Sequence, residues 1–440
     1  NESSTITSLA VGHTTPVSIA SGKILSGGIT LTGGSIKLGE TGTLASTVSM
    51  SGGTLDADAT LTLSGVLSHT ADITIDVAVN KTLTYSGTAI NVGANTITLS
   101  GGGSLVSGGM TLNNAQSKLL LNKITLDSAS TSANSSGLDV DGNSAITSLS
   151  VGHITPVSIK ANKSLSGSIT VTAGSIKLGE TGTLASTVSM SGGTLDADNN
   201  LTLSGALTQS GNITIDVAEN KTLGYSGAAV NLGAKTLTMS GKGTFNNTNA
   251  LVLNNASSKL LLDNTTTVGS VSTSLASSGV DVNESSTITS LAVGHTTPVS
   301  IASGKTLSGG ITVTGGSIKL GETGTLASTV SMSGGTLDAD NNLTLSGALS
   351  QSGNITIDVA ETKILTYEGA SIEIGASALT ISGGGTFANT NPLELDQGQS
   401  QLNLSGITAN YIRTDSNSLG ITVDNSSTVN DFSVGHVTPV

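Results

Sequence analysis

Cysteine and tryptophan are absent from the 440 residues, and aromatic residues make up only 2% of them. The first absence excludes the disulfide frameworks that staple small secreted domains. The second leaves too few large side chains for the thick core of an antiparallel β-sandwich, the competing architecture for repeats of this kind. Charge is scarce as well: Asp, Glu, Lys and Arg are 10% of the chain, against roughly 25% in an average soluble domain. Acids outnumber bases 29 to 16, Arg413 is the one arginine, and the net charge is −13. That balance argues against a nucleic-acid partner, which needs clustered Lys and Arg. No apolar run approaches the roughly 18 residues of a membrane span, so membrane insertion is not expected. Nowhere does an i, i+3, i+4 pattern persist long enough for a helix. There is no signal peptide and no initiator Met, so an export signal is expected outside this stretch.

What is present is repetition. The string GSIKLGETGTLASTVSMSGGTLDAD occurs three times unchanged, at residues 34–58, 174–198 and 316–340. The motif VGHxTPV returns in the same register, with histidines at His13, His153, His295 and His436. These marks divide the chain into units 1–140, 141–282 and 283–423 and the start of a fourth, 424–440. Near-identical copies point to function by repetition rather than by one unique site.

A shorter period lies inside each unit. Glycine punctuation cuts the first into seven segments of 19 to 23 residues, each holding short runs of alternating aliphatics such as Ile29/Leu31, Ile36/Leu38, Leu61/Leu63, Ile73/Ile75/Val77 and Ile97/Leu99. Period two is the strand signal. Strands this short bury too little apolar surface to stand alone, but stacked coils let each backbone group pair with the coils above and below. The pattern therefore predicts an all-β chain: one continuous parallel β-helix with coils of about 20 residues and seven coils per long repeat, right-handed by the general preference of parallel β connections. Roughly 22 coils at about 4.8 Å each would make a rod on the order of 100 Å long.

The segments ATLTLSG, SGGTLDAD and NKTLTYSG resemble the glycine-punctuated, Thr-rich coils of filamentous haemagglutinin-like and autotransporter-passenger proteins, the β-helical adhesins of bacterial surfaces. The resemblance covers the whole chain. It implies secretion across an outer membrane, an extracellular location on the bacterial cell surface, and a role in attachment or self-association. The long-range order departs from that family, whose passengers are less regular, and counts against a single binding tip.

Few residues invite a chemical reading. The VGHxTPV histidines are about seven coils apart, some 34 Å, too far to share one metal. Followed by Pro16, Pro156, Pro298 and Pro439, they read as a fixed corner in which proline caps a strand and imidazole bonds backbone. The pairs Asp56/Asp58, Asp196/Asp198 and Asp338/Asp340 share an outward face by alternation. Together with Asp139, Asp141 and Asn143, spaced like the opening of a calcium loop, they are the candidates for calcium. Their counterpart Asp281, Asn283, Ser285 loses the later acids, and solvated surface carboxylates are the other reading. No nucleophile elbow and no convergent charged groove is visible, so an enzyme is not expected.

Thr60/Thr62 and Thr96/Thr98 suggest hydroxyl ladders of the ice-binding kind, which Asp56/Asp58 and Lys81/Thr84 on neighbouring coils would break. The triplets Leu119–Leu121 and Leu260–Leu262 expose a middle leucine unless the chain bends there, and Asn113/Asn114 and Asn254/Asn255 suggest stacked corner ladders. The expectation is a structural stalk or fibre whose partners are neighbouring repeats and further copies, lateral or end to end. The alternative is an adhesin that binds glycans through its polar flanks.

Overall fold

A computed structural model describes residues 2–414, 417–435 and 439. It is all-β, with no helix among the described residues, and its strands are two to eight residues long. Parallel strands stack into a β-solenoid of about 21 turns with a spacing of about 20 residues. Among the described residues the one antiparallel contact is an isolated bridge, Ala78 to Gly102. The chain forms two compact units, Asn1–Ile213 with Lys221–Ala228, and Thr214–Asn220 with Ala229–Val440.

In the first unit each turn contributes to two parallel sheets. In one sheet, seven steps lead from the strand Thr15–Val17 through Ser35–Leu38, Thr54–Ala57, Ile73–Val77, Thr96–Ser100, Lys118–Leu121 and Gly137–Val140 to Thr155–Ile159. One 140-residue period thus takes seven coils. The inward residues Ile36, Leu55, Ile75, Leu99, Leu121, Val140 and Ile159 stand in register one above another. Each is at most 1% exposed. Burying such a side chain contributes about 1.5–3 kcal/mol, and the column repeats that gain on every coil. The aliphatic pairs picked out by alternation, from Ile29/Leu31 to Ile97/Leu99, are all buried.

The other sheet is split. The strand Ile24–Leu31 pairs first with Thr43–Leu44 and then with Thr47–Met50 of the next coil, so one long strand is followed by two short ones with a corner between them. The long strands Thr125–Thr131, Ser144–Val151 and Ser164–Val171 turn the same corner without breaking. Ser144–Val151 shows why: Ile146 and Leu149 both point inward while Thr147 and Ser148 between them are exposed, a local slip in the two-residue period.

The second unit repeats the construction, from Lys259–Leu262 through Gly279–Val282, Thr297–Ile301, Ser317–Leu320, Thr336–Ala339, Ile355–Val359, Ala378–Ser382 and Gln401–Ser405 to Gly420–Asp424. Its core includes three aromatics: Phe245, Tyr367 and Phe387 are fully buried, and the rings of Tyr367 and Phe387 stack with centroids 5.9 Å apart.

Candidate functional site

The VGHxTPV corner is fixed differently from the expectation. His13, His153 and His295 are exposed, and among the described residues no partner hydrogen-bonds their rings. Instead the backbone carbonyl of each accepts from the threonine hydroxyl two residues on, at 3.1, 3.1 and 2.9 Å for Thr15, Thr155 and Thr297. The next coil packs glycine on this corner: at Gly174, φ is 70° and an added Cβ would lie 2.5 Å from His153 backbone. Pro156 and Pro298 do not cap a strand but are the second residues of Thr155–Ile159 and Thr297–Ile301. His436 lies outside the described residues.

Most of the calcium candidates stand beside a partner from the chain. Asp56 faces Lys37 of the preceding coil at 3.0 Å, and Asp58 is 3.9 Å from the same ammonium. The hydrogen bond to Asp56, then the charges of Asp56 and Asp58, raise the lysine above its usual pKa. The pattern recurs as Lys177–Asp196 at 2.6 Å and Lys319–Asp338 at 2.7 Å, while Asp198 and Asp340 are exposed. Lys319 is raised by its bond to Asp338 in the same way.

Asp139, Asp141 and Asn143 diverge. Asp139 pairs with Lys118, Asp141 lies 3.8 Å from Lys160, and the side-chain oxygen of Asn143 accepts from the Ser164 backbone at 3.1 Å. In the counterpart, Asp281 pairs with Lys259, Asn283 donates to Asp263 at 2.9 Å, and the Ser285 hydroxyl accepts from Thr306 N at 3.1 Å. Among the described residues no three His, Asp or Glu side chains gather where they could hold a metal ion.

The ladders differ from the expectation because neighbours in sequence are not neighbours in space. Thr62 stands in register between Thr43 and Thr84, so threonines do stack over three coils, while Asp56 belongs to the other sheet. Thr306, Thr325, Thr344 and Thr366 form the equivalent column in the second unit. Leu120 needs no bend: Leu119 and Leu121 point inward and Leu120 lies half-buried on the outer face between Thr98 and Asp139. Asn113 and Asn254 do not stack on each other's kind. Their side-chain oxygens accept from Gly93 N at 2.9 Å and Gly233 N at 2.8 Å, and Asp396 accepts from Gly375 N at 2.9 Å in the third repeat.

Other polar contacts were not anticipated. Asn247 and Asn389, 3% and 2% exposed, face the core. The amide of Asn247 donates to Asn249 O (2.9 Å) and Ser270 O (2.6 Å) and accepts from Gly269 N (3.0 Å) and Ser270 N (3.2 Å). That bonding ties the corner of one coil to the long strand of the next. The alternation of TFNN, with Phe245 and Asn247 on one side, was the signal available for it. His69 sets its ring between Ala71 O (3.2 Å) and Asn91 O (3.0 Å), a position that Gln209 and Gln351 take in the other repeats.

In the third repeat, residues 393–414 differ in sequence from their counterparts yet keep the parallel pairing, and on the surface Glu373, Glu394 and Arg413 follow one another in register, with Arg413 3.8 Å from Glu394. In comparisons with protein-family models, with curated proteins and with solved structures, nothing matches this chain.

Proposed function

We propose that the chain is the structural repeat region of a bacterial extracellular fibre or stalk, a stiff spacer at the cell surface rather than an enzyme. The observation that supports this most is the aliphatic column from Ile36 to Ile159, held coil after coil by parallel pairing, with the outward charges matched locally as in Lys37–Asp56. A solenoid gains stability from nearest-neighbour interfaces and extends by adding units. The candidate acids and histidines are spread along it at repeat spacing instead of converging, which suits a mechanical role. The glycine-punctuated coils support the bacterial surface setting through their resemblance to β-helical adhesins.

Two measurements test the reading. Antibodies against the thrice-repeated string should label thin fibres outside the source cell, and label confined to the cell interior would refute the surface role. Chains built with one unit fewer or more should change the contour length seen by electron microscopy by about 34 Å per unit, seven coils at the strand spacing. A length that does not scale with unit number would refute the spacer.

A further inference from the structure

One face of the split sheet is free of charge over many coils. In the first unit its outward column runs Thr111, Ser130, Ser150, Thr170, Ser189 and Thr208, one hydroxyl per coil in unbroken register. Ser128 beside Ser148, and Ser168 beside Thr187, supply a second hydroxyl two residues earlier on these coils. From Gly28 to Thr208 the outward residues of this face are uncharged, and the nearest carboxylate is Asp127 at its edge beside Ser128, held by Ser107 and Gly108 N. The charged ladder Lys37, Asp56, Asp76 lies on the other sheet. Ser150, Thr170, Ser189 and Thr208 are exposed.

We propose that this hydroxyl face is a homotypic docking surface, on which a second copy of the chain seats laterally through its own ladder. The inference rests on the structural reading above and names the partner that reading leaves open. Three arguments select a second copy. The chain carries a net charge of −13, so two copies repel unless they meet where charge is absent. Hydroxyls both donate and accept, which makes two identical arrays self-complementary in a way that two carboxylate rows are not. A second copy also has the same coil spacing, so a contact made at one coil recurs at the next and weak contacts add by multivalency. Small side chains let the two sheets approach closely without burying a charge.

The test is sedimentation velocity of the full chain over a concentration series, at low and at high salt. The expected result is a mass that rises with concentration toward at least the dimer, with association strengthened by salt as the like charges are screened. The variant S150K/S189K should need at least about tenfold more protein to associate, because it sets like charges against each other across the contact. The charge-matched variant T183K/T202K, on the other column of the split sheet, should behave as the parent. Circular dichroism of each variant checks that the β-structure is kept. A chain that stays monomeric at all concentrations overturns the proposal, as does association that survives S150K/S189K, association abolished by salt, or binding of the monomer to ice through this face. A monomer whose contour length still scales with unit number would remove the docking face and leave the spacer intact.

Discussion

The hydroxyl of Tyr225 lies 3.1 Å from the backbone nitrogen of Leu207, eighteen residues earlier and one coil below, and accepts its proton while donating to Ala228 O. A tyrosine inside the solenoid thus takes the place of a backbone carbonyl where the following coil is widened. Tyr367 repeats the contact with Leu349 at 3.1 Å and Ala370, and Tyr85 with Leu67 at 3.3 Å.

Removing that hydroxyl leaves the buried Leu207 N–H and the part-buried Ala228 carbonyl without this partner. Tyr225→Phe is expected to destabilise the fold by about 1–3 kcal/mol, read as a lower urea midpoint. The hydroxyls of Tyr225 and Tyr367 bond different residues, so Tyr225→Phe/Tyr367→Phe should lose about the sum of the single losses.

The same tyrosines set a limit in alkali. Burial raises the pKa of Tyr225 and Tyr367 above the usual 10.0, against the smaller opposing effect of their bonds to Leu207 N and Leu349 N. The unfolded phenol therefore ionises first. Their contribution is complete below the unfolded pKa and is lost as pH rises through the folded one. Lys37 and Lys319, also raised above the usual 10.5, act in the same direction. The melting temperature should stay level on this account from about pH 7 to about pH 9 and fall above about pH 10. The fall should be shallower in Tyr225→Phe/Tyr367→Phe. An identical profile in both proteins would contradict the assignment.

Asn247 holds four backbone groups at one corner. The first repeat solves the same corner with a pair instead: Ser107 donates to Asp127 at 3.0 Å, and the second carboxylate oxygen accepts from Gly108 N at 3.0 Å. Asn247→Ala should cost about 1–3 kcal/mol in chemical unfolding, since four backbone groups of a part-buried corner lose their partner. Asn247→Ser should be rescued in part by Gly269→Asp, which rebuilds the pair of the first repeat once the backbone shifts to relieve the new Cβ, placed 2.7 Å from the carbonyl oxygen of residue 247. A double variant no better than the single one would refute the equivalence.

Thr362 occupies left-handed backbone at φ 66°, where the earlier repeats place Asn80 at 61° and Asn220 at 60°. A β-branched residue is strained there and asparagine is not. Thr362→Asn should therefore stabilise the chain by about 1 kcal/mol, raising the urea midpoint.

The fold was legible because a strand's period of two survives in any context: Ile36/Leu38 and Ile97/Leu99 had to face one way, and the glycine spacing set the coil length. What stacks on what was not legible. Register depends on coil lengths that vary between 19 and 24 residues, as Ile36 over Leu55 and Ile75 over Leu99 show. So alternation sets Asp56 beside Asp58, its neighbour in sequence, whereas its nearest charged partner is Lys37 on another coil. The same gap hid the hydroxyl face, whose members are some 20 residues apart and belong to segments that look unrelated. Asn247 was missed for a different reason: a polar residue at an inward position reads as a loop until its four partners are seen.

Parallel stacking of the coils is tested most directly by cryo-electron microscopy of the purified protein. It predicts a thin particle with an axial layer spacing of about 4.8 Å and a repeat of about 34 Å for each seven-coil unit. Separate compact beads, one per 140-residue repeat and without that layer spacing, would contradict it.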